Sequence, residues 1–257
     1  MSKIDYDVLI GDCLETMKQI EPETIDCVVT SPPYWGLRDY GESEQIGLED
    51  TPEAYVEKMV SVFRKVKRIL KPCGTVWLNL GDSYWGGKGQ SGMGSAEYQE
   101  ERRENTPTLN RGYHNAPGGS KKTRPSDRKH STIKPKDLVG IPWRVALALQ
   151  ADGWWLRQDI IWHKPNPMPE SVTDRCTKNH EYIFLLTKSK SYFYDYMAIK
   201  ENMGLNLPGR NKRSVWTVTT QSFTGAHFAI FPPDLIEPCI LAGTSAHGCC
   251  GDCGAPW

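Results

Sequence analysis

Short apolar runs alternate with amphipathic stretches along the first part of the chain, and this alternation constrains the fold more than any other feature. Asp26–Thr30 is an apolar run that stops at the sequence Ser31-Pro32-Pro33, because proline cannot continue a central strand. From Pro52 to Leu70, apolar residues recur at the spacing of a helix with one buried face. Thr75–Leu80 is the next strand candidate. Strand and helix units in this order predict an α/β fold with a largely parallel sheet.

The same pattern continues on both sides of this segment. Asp7–Ile10 is predicted as a short strand and Leu14–Ile20 as a helix. After a long polar stretch, the pattern predicts a helix over 137–150, strands over 154–163 and 182–187, and a helix over 233–242. We therefore expect helices and strands over most of the chain outside that polar stretch.

Charge is balanced over the whole chain but concentrated in one segment. The 31 basic and 31 acidic residues give a net charge of zero, so a nucleic-acid role requires a local excess of positive charge. Residues 84–136 supply one, with eleven Lys or Arg against five Asp or Glu and no apolar run that could form a core. We expect an inserted basic loop region, which either contacts nucleic acid or is simply solvated.

The sequence predicts neither a membrane segment nor a disulfide framework. No apolar run approaches the roughly 20 residues of a membrane span, and the start, MSKIDYDVLIGD, lacks the plan of a signal peptide. We expect a cytoplasmic protein with reduced cysteines and no membrane partner. Cys250 and Cys253 form a single C-x-x-C, which is half of a zinc ribbon, so zinc is not expected in this chain.

The strongest chemical signal is the sequence Ser31-Pro32-Pro33-Tyr34, placed where an apolar strand meets its loop. At a usage near 5% for each residue type, a given tetrapeptide arises by chance in roughly one chain of this length in several hundred. Alone, it is also compatible with a proline-stiffened turn that places an aromatic side chain on the core. The flanking segments distinguish the two interpretations.

With those segments, the motif resembles the β group of amino-methylating DNA methyltransferases, whose catalytic tetrapeptide is Ser, Asp or Asn followed by Pro-Pro and an aromatic residue. The resemblance covers about two thirds of the chain, through the segments GDCL, TSPPYWGLRDYG, LKPCGTVWLNLGDSY, PKDLVGIPWRVALALQADGWWLRQDIIWHKPNPMPESV, NHEYIFLLTKSKSYFYD and HFAIFPPDLIEPCI. It implies a Rossmann-like methyltransferase sandwich, circularly permuted so that the catalytic half comes first. It also implies S-adenosylmethionine as the cofactor and DNA as the substrate.

The chemistry of amino methylation accounts for these residue types. An exocyclic amino group is a poor nucleophile, because its lone pair is delocalised into the base. The resemblance implies that Ser31 Oγ and the Pro32 carbonyl accept the two amino hydrogens and draw the lone pair toward a methyl sulfonium donor. Pro33 has a fixed φ and no N–H, which holds that carbonyl outward. Tyr34 is expected to stack on the base, flipped out of the duplex, and Trp35 either extends this pocket or packs in the core.

Ser31 also bears on which base is the target. Within the family that the chain resembles, serine at this position usually accompanies N4-cytosine methylation, whereas Asp or Asn accompanies N6-adenine methylation. Cytosine N4 is therefore favoured, with adenine N6 as the alternative, since a neutral hydroxyl accepts a hydrogen bond from either amino group. A methyltransferase for RNA or for a protein amide is a further alternative, but its tetrapeptide normally begins with Asn.

The resemblance places Asp12 and Cys13 near the adenine of S-adenosylmethionine, and Phe231 and Pro232 around the donor. Asp12 could instead cap the helix that follows, and Phe231-Pro232 could form a hydrophobic entry to the last helix. The chain departs from the family pattern, because no glycine-rich cofactor loop follows the helix ending near Ala242. We therefore expect a domain that is incomplete at its C-terminus, binds the donor poorly and does not methylate DNA unaided, with a DNA-binding fragment as the non-catalytic alternative.

These expectations divide the chain into five segments. They are a catalytic half (1–83), a basic inserted loop region (84–136), a methyltransferase scaffold (137–196), a candidate target-recognition segment (197–226), and a cofactor-side helix with a Cys-rich tail (227–257). The candidate DNA-contacting residues are basic side chains of the second and fourth segments: Lys121, Lys122, Arg124, Arg128, Lys129, Arg210, Lys212 and Arg213.

Overall fold

One mixed sheet, flanked by helices, organises the chain. The computed structural model describes residues 6–38, 40, 44–86, 126, 130–202, 209–221, 230–251 and 254–257. Its helices are α1 (Cys13–Thr16), α2 (Pro52–Ile69), α3 (Ile141–Ala151) and α4 (Pro233–Gly243), with a 3₁₀ turn over Met17–Gln19. Its strands are β1 (Ile25–Thr30), β2 (Leu70–Leu80), β3 (Trp155–His163), β4 (His180–Thr187) and β5 (Val215–Thr217), in the order β1-β2-β4-β3-β5.

The sheet is not largely parallel, and that part of the prediction was wrong. β1 pairs with β2, and β3 with β5, in parallel, but β4 lies between β2 and β3 and runs antiparallel to both. The physical reason lies in the connection between β3 and β4. Residues 164–179 contain no helix, and a parallel crossover is usually made by one.

Alternate residues of the strands face two apolar layers. On one face, Val76, Leu78 and Leu80 of β2 pack with the buried sides of α2 and α3. On the other face, Trp77 packs with apolar residues of β3, β5 and α4, including Cys239. Helices therefore cover both faces of the sheet, which is the layered arrangement predicted for this α/β chain.

Local chemistry sets where the elements begin and end. The side chain of Thr51 caps α2, accepting from the amide of Ala54 at 3.1 Å. The helix predicted over 137–150 begins later, at Ile141, because Gly140 adopts a left-handed conformation (φ 78°) immediately before it. β2 begins earlier than predicted, at Leu70, and a register irregularity opposite Ile25 accommodates the sequence Lys71–Gly74.

Two further expectations failed. Asp7–Ile10 is not a strand, and the side chain of Ile10 is 92% exposed. Among the described residues no strand lies beside this segment, and an unpaired strand has no ladder to stabilise it. β5 was not predicted, because it is short and lies within a segment of polar character. In the described part of the chain, no helix is long and apolar enough to cross a membrane.

Candidate active site

Four chain segments meet at one edge of the sheet and enclose a cleft. The carboxyl ends of the parallel strands β1, β2 and β3 lie at this edge, together with the beginning of the antiparallel β4. The cleft has a volume of about 700 Å³. Its lining includes the whole tetrapeptide Ser31 to Tyr34, as well as Asn79, Gly81, Asp82, Lys164, Lys178, Glu181 and Phe231.

Tyr34 is held between a glycine and a polar cluster. Its hydroxyl accepts a hydrogen bond from Ser31 Oγ at 3.2 Å and lies 2.8 Å from Glu181 Oε2 and 2.9 Å from Asn79 Oδ1. A Cβ at Gly81 would lie 2.5 Å from the tyrosine ring, so only glycine lets the ring lie this close. Burial, and then the charge of Glu181, raise the pKa of Tyr34 well above its usual value, so the phenol remains a hydrogen-bond donor.

Helix α2 holds the rest of the tetrapeptide in place through a hydrogen bond. The Tyr55 hydroxyl of α2 donates to the Pro33 carbonyl at 2.9 Å. Pro32 is one of the residues that line the cleft, and among the described residues no donor is bonded to its carbonyl. Trp35 is 1% exposed and its indole N–H donates to the Glu49 carbonyl at 2.9 Å, so this tryptophan belongs to the core rather than to the pocket.

An ion pair that the sequence analysis missed stands behind Tyr34. The Lys164 ammonium binds Glu181 Oε1, and their side chains are only 18% and 16% exposed. The other carboxylate oxygen, Oε2, accepts from Asn79 Nδ2 at 3.2 Å as well as facing Tyr34. Lys164 also lies 4.1 Å from the centre of the Trp162 ring. The available signal was positional, since these polar residues lie at strand ends on the edge where the tetrapeptide ends.

Two other charged groups of the cleft have different roles. The Asp82 carboxylate accepts from the amides of Gly140 and Ile141 at 3.0 Å, and so caps the start of α3. Lys178 is half-buried, and burial lowers the pKa of its ammonium. Asp82 therefore has a structural function, whereas Lys178 is a cation presented to the cleft.

The predicted cofactor residues are divided by the structure. Phe231 lines the same cleft as the tetrapeptide, and Pro232 is the buried N-cap residue of α4. Asp12 and Cys13 are exposed and do not line this cleft, and Asp12 Oδ1 accepts from the amide of Leu14 at 2.7 Å, which caps α1. The structure thus brings Phe231 to the cleft that the tetrapeptide lines, and gives Asp12 the capping contact that the sequence left as its alternative.

The predicted DNA-contacting residues fall into two groups. Lys121, Lys122, Arg124, Arg128 and Lys129 lie outside the described residues. Arg210 and Arg213 both bind the Glu201 carboxylate, at 2.9 and 3.0 Å, and with the backbone N–H of Arg213 they lower its pKa to about 2. Lys212 lies 5.0 Å from the centre of the Trp216 ring. A phosphate approaching these two arginines would have to share them with Glu201.

The two ends of the basic segment 84–136 lie beside the loop that carries the tetrapeptide. Trp85 exchanges backbone hydrogen bonds with Lys136 and Asp137, forming an antiparallel stem at the two ends of this region. The Trp85 ring stacks on that of Trp35 with 5.6 Å between centroids, and on its other side contacts His130. The base of the insertion is therefore packed directly against the loop that carries the tetrapeptide.

The Cys-rich tail shows a turn. The amide of Cys250 donates to Ala255 and its carbonyl accepts from Gly254, while Cys253 lies outside the described residues. Within the described ranges, no group of three or more His, Cys, Asp or Glu side chains could hold a metal ion. The expectation about zinc stays a prediction.

Comparisons with known proteins identify the family. The family model described as "DNA methylase", for N6 and N4 methyltransferases, matches residues 25–253. The Type II methyltransferase M.XycI of Xanthomonas campestris pv. cyanopsidis is 50% identical over 91% of this chain and 71% of its own. M.Cfr9I of Citrobacter freundii is 47% identical over 91% of this chain and 71% of its own, and M.SmaI of Serratia marcescens 46% over 94% and 76%.

A solved structure supports the fold. The PvuII DNA methyltransferase, described as cytosine-N4-specific, superposes with a TM-score of 0.58 at 18% identity, covering 92% of this chain and 69% of the other. The predicted Rossmann-like methyltransferase fold is thereby confirmed, as are the predicted family and its cofactor, S-adenosylmethionine. By the match over residues 25–253 and the identity to these relatives, the chain belongs to the N6/N4 family of DNA methylases.

Proposed function

We propose that this protein transfers a methyl group from S-adenosylmethionine to the N4 amino group of cytosine in DNA. The observation that carries the proposal is a pair of available acceptors in the cleft, Ser31 Oγ and the Pro32 carbonyl. Ser31 donates its only hydrogen to Tyr34, so its lone pairs remain available, and the Pro32 carbonyl is bonded to no donor in the described part of the chain. Two adjacent acceptors match the two hydrogens of one amino group.

These acceptors act by orienting the amino lone pair. Hydrogen bonds to both amino hydrogens favour the pyramidal nitrogen that attacks, over the planar nitrogen conjugated with the base. The acceptors cost little to organise during the reaction, because Tyr55 and Gly81 already fix the loop on either side. When bound, S-adenosylmethionine supplies the electrophilic methyl group. Phe231 fits its reacting end, since this aromatic side chain lines the same cleft as Ser31.

Two features favour cytosine over adenine. Ser31 is the residue that usually accompanies cytosine in the resembled family. In addition, Lys178 lines the cleft, and its ammonium group can donate hydrogen bonds but cannot accept them. Cytosine carries a ring carbonyl oxygen that can accept from this group, whereas adenine has no carbonyl.

DNA reaches the cleft from the side of the basic insertion. Residues 84–136 carry an excess of six positive charges, and the stem formed around Trp85 sets their base against Trp35. We propose that the insertion binds phosphates while the target cytosine is flipped into the cleft against Tyr34. The relatives are named Type II methyltransferases, and we propose that this protein protects DNA from a restriction endonuclease.

Radiolabelled methyl transfer tests the proposal. The purified chain is incubated with mixed-sequence DNA and tritiated S-adenosylmethionine at millimolar concentration, because weak donor binding is expected, and the labelled nucleosides are then separated. Label in N4-methylcytosine supports the proposal, and Ser31→Ala should reduce the rate of labelling by tens-fold or more. Label in N6-methyladenine would instead establish the adenine alternative.

The alternative from the sequence analysis is a DNA-binding protein that does not methylate DNA unaided. It predicts salt-sensitive DNA binding with no label in any nucleoside. Binding of DNA measured in parallel by fluorescence anisotropy separates this result from a protein that has simply failed to fold.

A further inference from the structure

The direction of the hydrogen bonds that link Ser31, Tyr34 and Glu181 follows from the number of hydrogens that each side chain can donate. Ser31 and Tyr34 carry one hydroxyl hydrogen each. Tyr34 has two acceptors within reach, Glu181 Oε2 at 2.8 Å and Asn79 Oδ1 at 2.9 Å. The bond to an ionised carboxylate is the stronger of the two, because its acceptor carries a charge. These side chains therefore form a hydrogen-bond relay, in which Ser31 donates to Tyr34 and Tyr34 donates to Glu181.

The opposite direction would disable the site. If Tyr34 donated to Ser31, then the serine would point its own hydrogen into the cleft, toward an amino group that also offers only hydrogens. An ionised Glu181 prevents this reversal, since a carboxylate accepts hydrogen bonds and has none to donate. Lys164 and Asn79 hold the carboxylate in place, through Oε1 and Oε2 respectively.

We propose that Glu181 is a positioning residue for methyl transfer, which acts through the Tyr34 hydroxyl to turn the lone pairs of Ser31 toward the target amino group. The inference rests on the proposed function of Ser31. Linked hydrogen bonds also polarise one another, so the relay makes the neutral serine a stronger hydrogen-bond acceptor than an isolated hydroxyl. A neutral serine hydroxyl is a weaker hydrogen-bond acceptor than the carboxylate that some family members have at this position, and the relay compensates for part of that difference.

The charged groups around Glu181 come from several elements. Lys164 follows β3, Lys178 precedes β4, and His180 is the first residue of β4. Asp82 follows β2 and lies close enough to Lys178 to influence its charge. Lys164 is the only one of these for which a direct ion pair with Glu181 occurs among the described residues. Replacement of Glu181 by glutamine therefore removes the charge that sets the direction of the hydrogen bonds, while the side chain keeps its size.

Kinetics of Glu181→Gln tests the proposal. Because a single preorganised hydrogen bond is worth about a hundredfold or more in kcat and Glu181 acts through two others, we expect kcat to fall by roughly tenfold or more. KM for DNA should stay within about twofold, since Glu181 does not contact phosphate. Glu181→Asp should recover part of the rate. Glu23→Gln is the matched control, because Glu23 also pairs with a lysine, Lys188, outside the cleft, and it should leave kcat unchanged.

A double-mutant cycle separates positioning from packing. Tyr34→Phe removes the hydroxyl that links the two residues, so adding Glu181→Gln to it should cause little further loss of kcat. If the two losses multiply, or if Glu181→Gln keeps the wild-type kcat, Glu181 does not act through Tyr34 and the proposal is wrong.

A spectroscopic measurement decides the same question without methyl transfer. The protein is labelled with tyrosine carrying ¹³C at Cζ, and the Tyr34 resonance is assigned by its loss in Tyr34→Phe. Since the charge of Glu181 raises the pKa of Tyr34, this phenol should titrate at a lower pH in Glu181→Gln than in the wild type. An unchanged titration and resonance would overturn the inference. If these change as expected while no nucleoside is methylated, the proposed function fails and the coupling stands.

Discussion

Gly81→Ala introduces one methyl group against the ring of Tyr34. The added Cβ would lie 2.5 Å from Cε2 and 2.8 Å from Cδ2 of the Tyr34 ring. Carbon atoms in contact are normally separated by about 3.5–4.0 Å, so the ring has to move by about 1 Å. Overpacking of this kind costs about 1–3 kcal/mol of unfolding free energy. A displacement of about 1 Å can reduce catalysis by about a hundredfold, because the Tyr34 hydroxyl would leave its partners Glu181 and Asn79.

The assay pairs thermal unfolding with methyl transfer for the wild type and two variants. Gly81→Ala should lower Tm by a few degrees and reduce kcat by roughly a hundredfold. Gly251→Ala is the matched control, because a Cβ at Gly251 meets no atom within 4 Å and both quantities should stay unchanged. If Gly81→Ala matched the wild type in both Tm and kcat, the ring would not be held against Gly81, and the rigid placement of Tyr34 would be refuted.

Three other predictions address separate parts of the molecule. Ser31→Ala should reduce kcat by tens-fold or more while DNA affinity stays unchanged, because the contact is fully used only in the transition state; equal turnover in a methyl-transfer assay would remove Ser31 from catalysis. Charge-neutral replacement of Lys121, Lys122, Arg124, Arg128 and Lys129 should flatten the plot of log affinity against log salt by up to about four units, and an unchanged slope in anisotropy titrations would reduce the insertion to a solvated loop. Asp82→Ala should lower the unfolding free energy by about 1–2 kcal/mol, because α3 loses its cap, and urea denaturation that shows no change would contradict this role.

The reacting half of the site could be predicted because its residues are adjacent in sequence. Ser31 to Tyr34 follow an apolar strand directly, so the motif and its position at the strand end are both visible without a structure. Glu181 and Lys164 were missed because they reach the cleft through tertiary structure. The approach of Glu181 depends on β4 running antiparallel beside β2, which places the first residues of β4 at the edge where β2 ends. Lys164 reaches the same edge because it directly follows β3, whose last residue pairs with the first residue of β4.

Other differences arise from partners that local patterns do not reveal. The spacing of apolar residues in α2 identified its buried face, because a helix that is buried on one side has apolar residues at every third or fourth position. Arg210 and Arg213 indicated a DNA contact, yet Glu201 lies close enough to bind both. Trp35 was undecided until Trp85, beyond α2 and β2 in the chain, was found stacked on it. In each case, the sequence showed the chemical type of the residue and the fold determined its neighbour.

The central claim is that Ser31 directs methylation to the N4 amino group of cytosine. The most direct measurement is mass spectrometry of nucleosides from mixed-sequence DNA incubated with the purified chain and millimolar S-adenosylmethionine, with Ser31→Ala assayed beside it at the same protein concentration and time. We expect N4-methylcytosine in the wild-type sample and tens-fold less or lower still in the variant. N6-methyladenine as the product, or as much N4-methylcytosine from Ser31→Ala as from the wild type, would contradict the claim.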